Sequence, residues 1–339
     1  MKTYSSLYAA DIMNRYGAER RPFVFLADYA MQACVVEPLE EIDPQRLLYA
    51  VGDRTNAPEA GIRKPERELR WEPRFCSPDE YAAEFDVVRT HLLAGNSYLV
   101  NLTCATPVGC GLSLREIFDR TDALYKIWFD DRFVCFSPET FVRIDAQGTI
   151  ASFPMKGTID AALPKAERRI LDDPKETAEH ATIVDLIRND LSRVAAEVRV
   201  ERYRYIDRVR THRGELLQVS SEIRGQLPEG WQGRIGSVLF ELLPAGSVTG
   251  APKPKTLEII AEAENYERGY YTGVCGLFDG RTLDSGVMIR FLEREPGTGQ
   301  GEYLFKSGGG ITYRSDRTAE YEEMKEKVYV PLRRNDSDR

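Results

Sequence analysis

The chain has 339 residues, 42% hydrophobic and 29% charged, with a net charge of −8 at pH 7. That balance argues against a general nucleic-acid or anionic-membrane surface, but leaves room for an anionic substrate held by local positive groups. No apolar run of 18 residues occurs and Met1 to Ser6 leads into no apolar signal segment, so a cytoplasmic protein without membrane spans is expected.

In chain order, Phe23 to Tyr29 reads as a strand, and Arg63 to Pro78, rich in proline and charge, is the best candidate junction. Strand-like alternation follows at Phe133 to Phe136 and Phe141 to Ile144. Lys156 then lies in Phe153-Pro154-Met155-Lys156-Gly157-Thr158, between apolar residues and a Gly-Thr turn. Such a setting can desolvate an amine and make it a nucleophile at neutral pH, while the competing reading is a surface lysine beside a turn. Asp173-Pro174 marks a helix start, and the spacing of Ile183, Val184, Leu186, Ile187, Leu191 and Val194 continues it, with Glu176 and Glu179 three apart on one face.

The arginines at 199, 202, 204, 208, 210 and 213 alternate with Glu201, Asp207 and Glu215, which predicts the solvated side of strands rather than a nucleic-acid site. Pro244 to Lys253 is rich in glycine and hydroxyls and precedes a helical pattern, Thr256 to Ala263. Its amides and hydroxyls, Ser247 and Thr249 among them, could meet a carboxylate near a helix N-terminus. Val287 to Leu292 reads as an apolar strand carrying Arg290, whose charge would be costly there if unpaired. Tyr303 to Phe305 reads as another strand, and Gly308-Gly309-Gly310 beyond it as an anion nest or a flexible hairpin. A last helix, about 317 to 328, repeats the acidic spacing with Glu320 and Glu323. Two such pairs from distant parts of a chain could converge on one hard cation, most simply Mg²⁺. No Walker A or dinucleotide fingerprint occurs, and the six cysteines have no zinc-like spacing, so reduced thiols are expected. Strands and helices without regular alternation suggest an α+β fold.

Taken together, Ser137-Pro138-Glu139-Thr140, Pro154 to Thr158, Glu179-His180, Ile183 to Leu191, Gly246 to Lys253, Arg268-Gly269-Tyr270-Tyr271-Thr272-Gly273, Ile289-Arg290, Gly308 to Gly310 and Glu320 to Glu323 stand in the order expected of chorismate-utilising enzymes. The resemblance covers about residues 78 to 331. It implies two large antiparallel sheets packed face to face with helices outside, and a cleft between two halves. It also implies a shortened N-terminal segment, 1–77, packing on a catalytic domain, 78–331, with a frayed tail, 332–339.

Within that family Lys156 resembles the aminodeoxychorismate synthases, whereas anthranilate, isochorismate and salicylate synthases usually carry alanine there. The resemblance implies that Lys156 adds to C2 of the chorismate ring as the C4 hydroxyl leaves, with Glu139 as the acid. Glu179 and Glu323 would hold Mg²⁺ directly, with Glu176 and Glu320 acting through water. Gly157, Thr158, Ser247, Thr249, Tyr271, Arg290 and Gly308 to Gly310 would bind substrate. Leu99 occupies the place of the lysine that activates water in water-using members, which disfavours isochorismate and salicylate formation. Gln218 stands at the position of a family histidine and would also bind substrate, since its amide can hydrogen-bond a substrate oxygen but exchanges no proton near neutral pH. No tryptophan-binding segment is recognised in the N-terminal part. The expected reaction is therefore chorismate amination to 4-amino-4-deoxychorismate. A separate glutaminase subunit would supply the ammonia, since no Gly-x-Cys-x-Gly nucleophile segment is present. Anthranilate synthase component I is the alternative, and a non-catalytic binding protein is disfavoured by the retained Glu139, Lys156 and four helix glutamates.

Overall fold

Phe23–Ala27 is apolar at every position, and its alternate residues enter two different cores. A strand buried on both faces needs such a run, because neither side meets water. The computed structural model describes residues 1–58, 69–211, 214–294 and 301–332. Among them are two nine-stranded sheets in which every strand pairing is antiparallel. In the first, Phe23–Ala27 lies between Val274–Phe278 and Val35–Pro38, and the far edge is formed by Met155–Asp160 beside Gly214–Gln226. In the second, the long strands Leu99–Cys110 and Glu302–Ile311 pair along their length.

The sheets pack face to face through Val24, Leu26, Cys275 and Leu277 on one side and Tyr125, Ile127, Phe129 and Phe133 on the other. Helices Ser6–Ala18, Pro174–Leu191 and Ile235–Leu242 cover the outer face of the first sheet. Helices Pro78–Leu93, Lys253–Ala263 and Arg317–Glu326 cover part of the second. The expected α+β architecture is therefore present, with strands from the first 77 residues paired inside both sheets. Residues 63–68 of the proposed junction and the tail 333–339 lie outside the described residues. All six cysteines are free thiols, five of them buried. No helix among the described residues is long and apolar enough to cross a membrane.

Two local expectations are corrected. The run Val287 to Leu292 is not one strand: Leu283–Val287 ends in the first sheet and Phe291–Glu293 begins in the second. Met288 to Arg290 cross between them, with Arg290 left-handed at φ 53°. An apolar run cannot distinguish one buried strand from two, because both ends of the crossing are equally buried. The three glycines 308–310 form neither a nest nor a hairpin but extended strand opposite Thr103, Leu102 and Asn101. Successive amides of a strand point in opposite directions, so they cannot converge on one anion. The arginine-rich segment is the exposed strand Ala196–Thr211, where Arg199 meets Glu201 at 2.9 Å and Arg208 meets Glu167 and Glu215 at 2.6 and 3.0 Å.

The two sheets approach closely at Gly286, where an added Cβ would lie 2.4 Å from the Tyr125 ring. Gly286→Ala should therefore destabilise the protein by about 1–3 kcal/mol through overpacking. Urea denaturation should show a lower midpoint with an unchanged slope.

Candidate active site

A cavity of about 270 Å³ opens between the sheets and draws its walls from segments far apart in sequence. Lys156 reaches it from an edge strand whose register breaks between Met155 and Thr158, with Gly157 at φ 80°. The Lys156 amine lies 3.5 Å from Glu179 Oε2. A Cβ on Gly310 would come within 3.1 Å of the same amine. A side chain at 310 would crowd Lys156 and Leu99, and the amine lies between Glu179 and this bare strand.

Glu139 follows the strand Phe133–Ser137, and its Oε1 accepts a hydrogen bond of 2.5 Å from the Ser247 hydroxyl. Its carboxyl looks into the cavity rather than bulk water. Burial raises its pKa above the usual carboxylate range, against the lowering effect of Ser247, Lys156 and Lys327. Ser247 is carried by the short turn Gly246–Val248. Gly157, Thr158, Gln218, Tyr271, Arg290 and Gly308 to Gly310 line the same cavity. The Arg290 guanidinium donates to the Lys327 carbonyl at 2.7 Å and lies over the Tyr329 ring, with no carboxylate partner among the described residues. An Arg fork so placed is free to hold a substrate carboxylate.

Thr249 is not brought into this group. It is fully buried, and its hydroxyl donates to the carbonyls of Ala245 and Gly246 at 3.0 and 3.3 Å. The helix N-terminus beyond it also faces elsewhere: Lys253 is bound to Asp190 at 3.0 Å and to the Leu242 carbonyl. Only Ser247 and Val248 of that segment face the cavity. His180, beside Glu179, donates to or accepts from Ser221 at 2.7 Å, and its pKa is pushed down to about 4, first by burial and then by Arg204 and Lys156.

Each acidic pair approaches a glycine of the cavity wall, and Glu323 itself lines the cavity. A Cβ on Gly157 would lie 3.0 Å from Glu176, and one on Gly309 would lie 3.6 Å from Glu320 and 3.9 Å from Glu323. This all-oxygen donor set, with Glu179 and Glu320 buried, fits a hard divalent cation in kind. Among the described residues, however, no three such ligands are already gathered round one point. Instead, Lys156 neutralises Glu179, and Lys327 meets Glu323 at 2.8 Å.

Two cavity groups escaped the sequence reading. Lys327 also donates to the Gly308 carbonyl at 2.8 Å, and burial lowers its pKa. Its four-residue spacing from Glu323 was a legible helical signal. Lys306, buried in the strand before the glycines, donates to Glu293 at 2.6 Å and to the Arg268 carbonyl at 2.9 Å. Arg268 itself lies behind the cavity, bound to Glu264, to the Val248 carbonyl at 2.8 Å and to the Asn101 carbonyl at 2.7 Å. In the sequence it was legible as the first residue of the motif Arg268 to Gly273, whereas its buried pairing with Glu264 was not.

The chain belongs to the chorismate binding enzyme family, which matches residues 15–333 and so begins well before residue 78. It is 48% identical over 319 residues to an uncharacterized PabA-like protein of Pasteurella multocida, covering 94% of this chain and 97% of that one. It is 34% identical over 270 residues to an anthranilate synthase component 1 of Haloarcula marismortui, covering 74% of this chain and 52% of the relative. Aminodeoxychorismate synthase component 1 of Bacillus subtilis is 28% identical over 277 residues, 76% of this chain and 57% of the relative. The fold is that of MenF, the menaquinone-specific isochorismate synthase from Escherichia coli, with a TM-score of 0.71 at 17% identity over 97% of this chain and 82% of the other.

Glu139 has a folded pKa above its unfolded value, so its contribution to stability is fully present below the unfolded value of about 4.3 and is lost as pH rises through the folded one. Glu139→Gln should therefore gain stability relative to wild type as pH is raised from 4 to 8. Urea midpoints across that range should diverge in this direction.

Proposed function

We propose that this chain aminates chorismate at C4, the reaction of aminodeoxychorismate synthase component 1, in the cytoplasm and on the route to 4-aminobenzoate and folate. The observation that carries this reading is Lys156, whose amine enters the same cavity as Glu139 and faces a strand stripped of side chains at Gly310. In the first step the Lys156 nitrogen bonds to C2, both conjugated ring double bonds shift towards C4, and the C4 hydroxyl leaves as water with the Glu139 proton. In the second, ammonia bonds to C4, both double bonds shift back, the C2–nitrogen bond breaks, and Lys156 departs as a neutral amine. The new C4 ammonium then returns one proton to Glu139, so the enzyme ends as it began. The raised pKa of Glu139 suits it to both transfers.

Arg290 and Tyr271 would hold the enolpyruvyl carboxylate, while Ser247 orients Glu139. Glu179 and Glu323 would bind Mg²⁺ directly, and Glu176 and Glu320 through water. That cation would supply the positive charge that fixes the ring carboxylate. A glutaminase subunit would supply the ammonia. The 34% relative favours a second reading, amination at ring C2 to give anthranilate. Lys156 weighs against it, since its side chain fills the approach to C2.

Lys156→Ala should lose at least 100-fold in 4-amino-4-deoxychorismate formation, and separated products should show any residual amine at C2 instead. Wild-type protein given chorismate without ammonia should carry a substrate-derived adduct on the Lys156 peptide by mass spectrometry. A wild-type rate in Lys156→Ala would rule out the covalent route. The isolated chain should use ammonium salts but not glutamine, faster at higher pH as free ammonia increases. Glu179→Ala and Glu323→Ala should abolish Mg²⁺-dependent turnover, whereas Glu176→Ala and Glu320→Ala should weaken it, as Mg²⁺ titrations of all four would reveal.

A further inference from the structure

Behind Glu139 lies a second, smaller cavity of about 20 Å³. It shares Glu139, Pro154 and Ser247 with the large cavity, so the two adjoin at the carboxyl that handles protons. That volume accommodates one water-sized molecule. Apart from those shared residues its walls are largely apolar, with Ile187 of the helix Pro174–Leu191 on one side and Ala245, next to the Gly246–Val248 turn, on another. Asp190 also borders it, but that carboxylate is engaged by Lys253 at 3.0 Å and so presents a compensated charge.

We propose that this chamber is the binding site for the ammonia co-substrate, holding one neutral molecule against Glu139 and Ser247. The assignment rests on the amination reading above. Its physical basis is selection between the two forms of the nucleophile. An ammonium ion loses its hydration on entering an apolar space, whereas neutral ammonia loses far less, so the chamber favours the form with a free lone pair. Once there, the nitrogen is beside the carboxylate that must accept its surplus proton after the C4–nitrogen bond forms. The Ser247 hydroxyl already fixes that carboxylate at 2.5 Å, which leaves its orientation set before ammonia arrives.

The test narrows the chamber from two different walls, with Ile187→Phe and Ala245→Val, and reads steady-state kinetics with ammonium chloride at pH 8.5. Both variants should raise KM for ammonia at least fivefold while KM for chorismate stays within twofold of wild type. An unchanged ammonia KM in a folded variant would overturn the proposal and leave the chamber as a site for structural water. So would a rise in chorismate KM alone, which would mean that the Gly246–Val248 turn had been displaced. Should either variant fail to fold, Leu191→Ala, which widens the chamber, is read with methylamine. New methylamine turnover supports the assignment, and its absence in an enzyme that still uses ammonia overturns it. A wild type that forms no amine from ammonium salts would instead sink the amination reading, and the chamber assignment with it.

Discussion

The buried ion pair between Arg268 and Glu264 is the constraint on which the cavity depends. Their side chains are 1% and 3% exposed, so neither charge has water to solvate it. Removing one partner from such a pair costs about 3–5 kcal/mol, because the other is left charged in a dry interior. Further hydrogen bonds tie the pair to walls of the cavity and to the strands behind them. Arg268 holds Val248, the neighbour of Ser247, and Asn101, which faces Gly310 across the strand pair. Glu264 accepts from the amide and hydroxyl of Thr103 at 2.9 and 2.8 Å. The Arg268 carbonyl accepts from Lys306, and Tyr271 follows in the next turn. One buried pair thus sets the relative positions of the serine that holds Glu139, the glycine strand and the tyrosine.

Around that anchor the site balances charge in matched pairs. Lys156 with Glu179 and Lys327 with Glu323 bring two cations and two carboxylates into one cleft. A Cβ at Gly157 would press on Glu176 at 3.0 Å, and one at Gly310 on Leu99 and the Lys156 amine at 3.0 and 3.1 Å, whereas at Gly309 it would make ordinary contacts with Glu320 and Glu323. Gly157 also has a left-handed backbone.

The legible part of this protein was its local chemistry. Helix starts at Asp173-Pro174 and before Arg317 follow from capping: Asp173 accepts from the Glu176 amide at 3.0 Å, and Asp316 from the Ala319 amide at 2.9 Å. The strands Phe133–Ser137 and Thr140–Ile144 follow from apolar runs, and the acidic i, i+3 pairs from helical spacing. The family resemblance added the two-sheet architecture, which periodicity does not encode. Less legible were the places where the chain changes sheet. Met288 is buried while Ile289 and Arg290 are only partly so, but the run stays apolar up to Arg290, so hydropathy carries no mark of the crossing. Thr249 turns into the packed interior and the triple glycine is a strand in the cavity wall, and residue type alone did not show this, because a hydroxyl or a bare backbone suits a ligand and a packed interior equally well.

What the sequence determined by itself is the inventory: a lysine in an apolar turn, a lone glutamate after Ser-Pro, two acidic helix faces and an arginine in an apolar run. These are set by residue type and short-range spacing, which act within a turn or a strand. The tertiary structure decided which of them meet. The Lys156–Glu179 contact, the Ser247–Glu139 bond and the Arg268 anchor join residues 23, 108 and 167 positions from their partners, taking Asn101 as the farthest partner of Arg268. Contacts of that kind depend on two sheets closing over a shared core, and no local pattern specifies where two surfaces will touch.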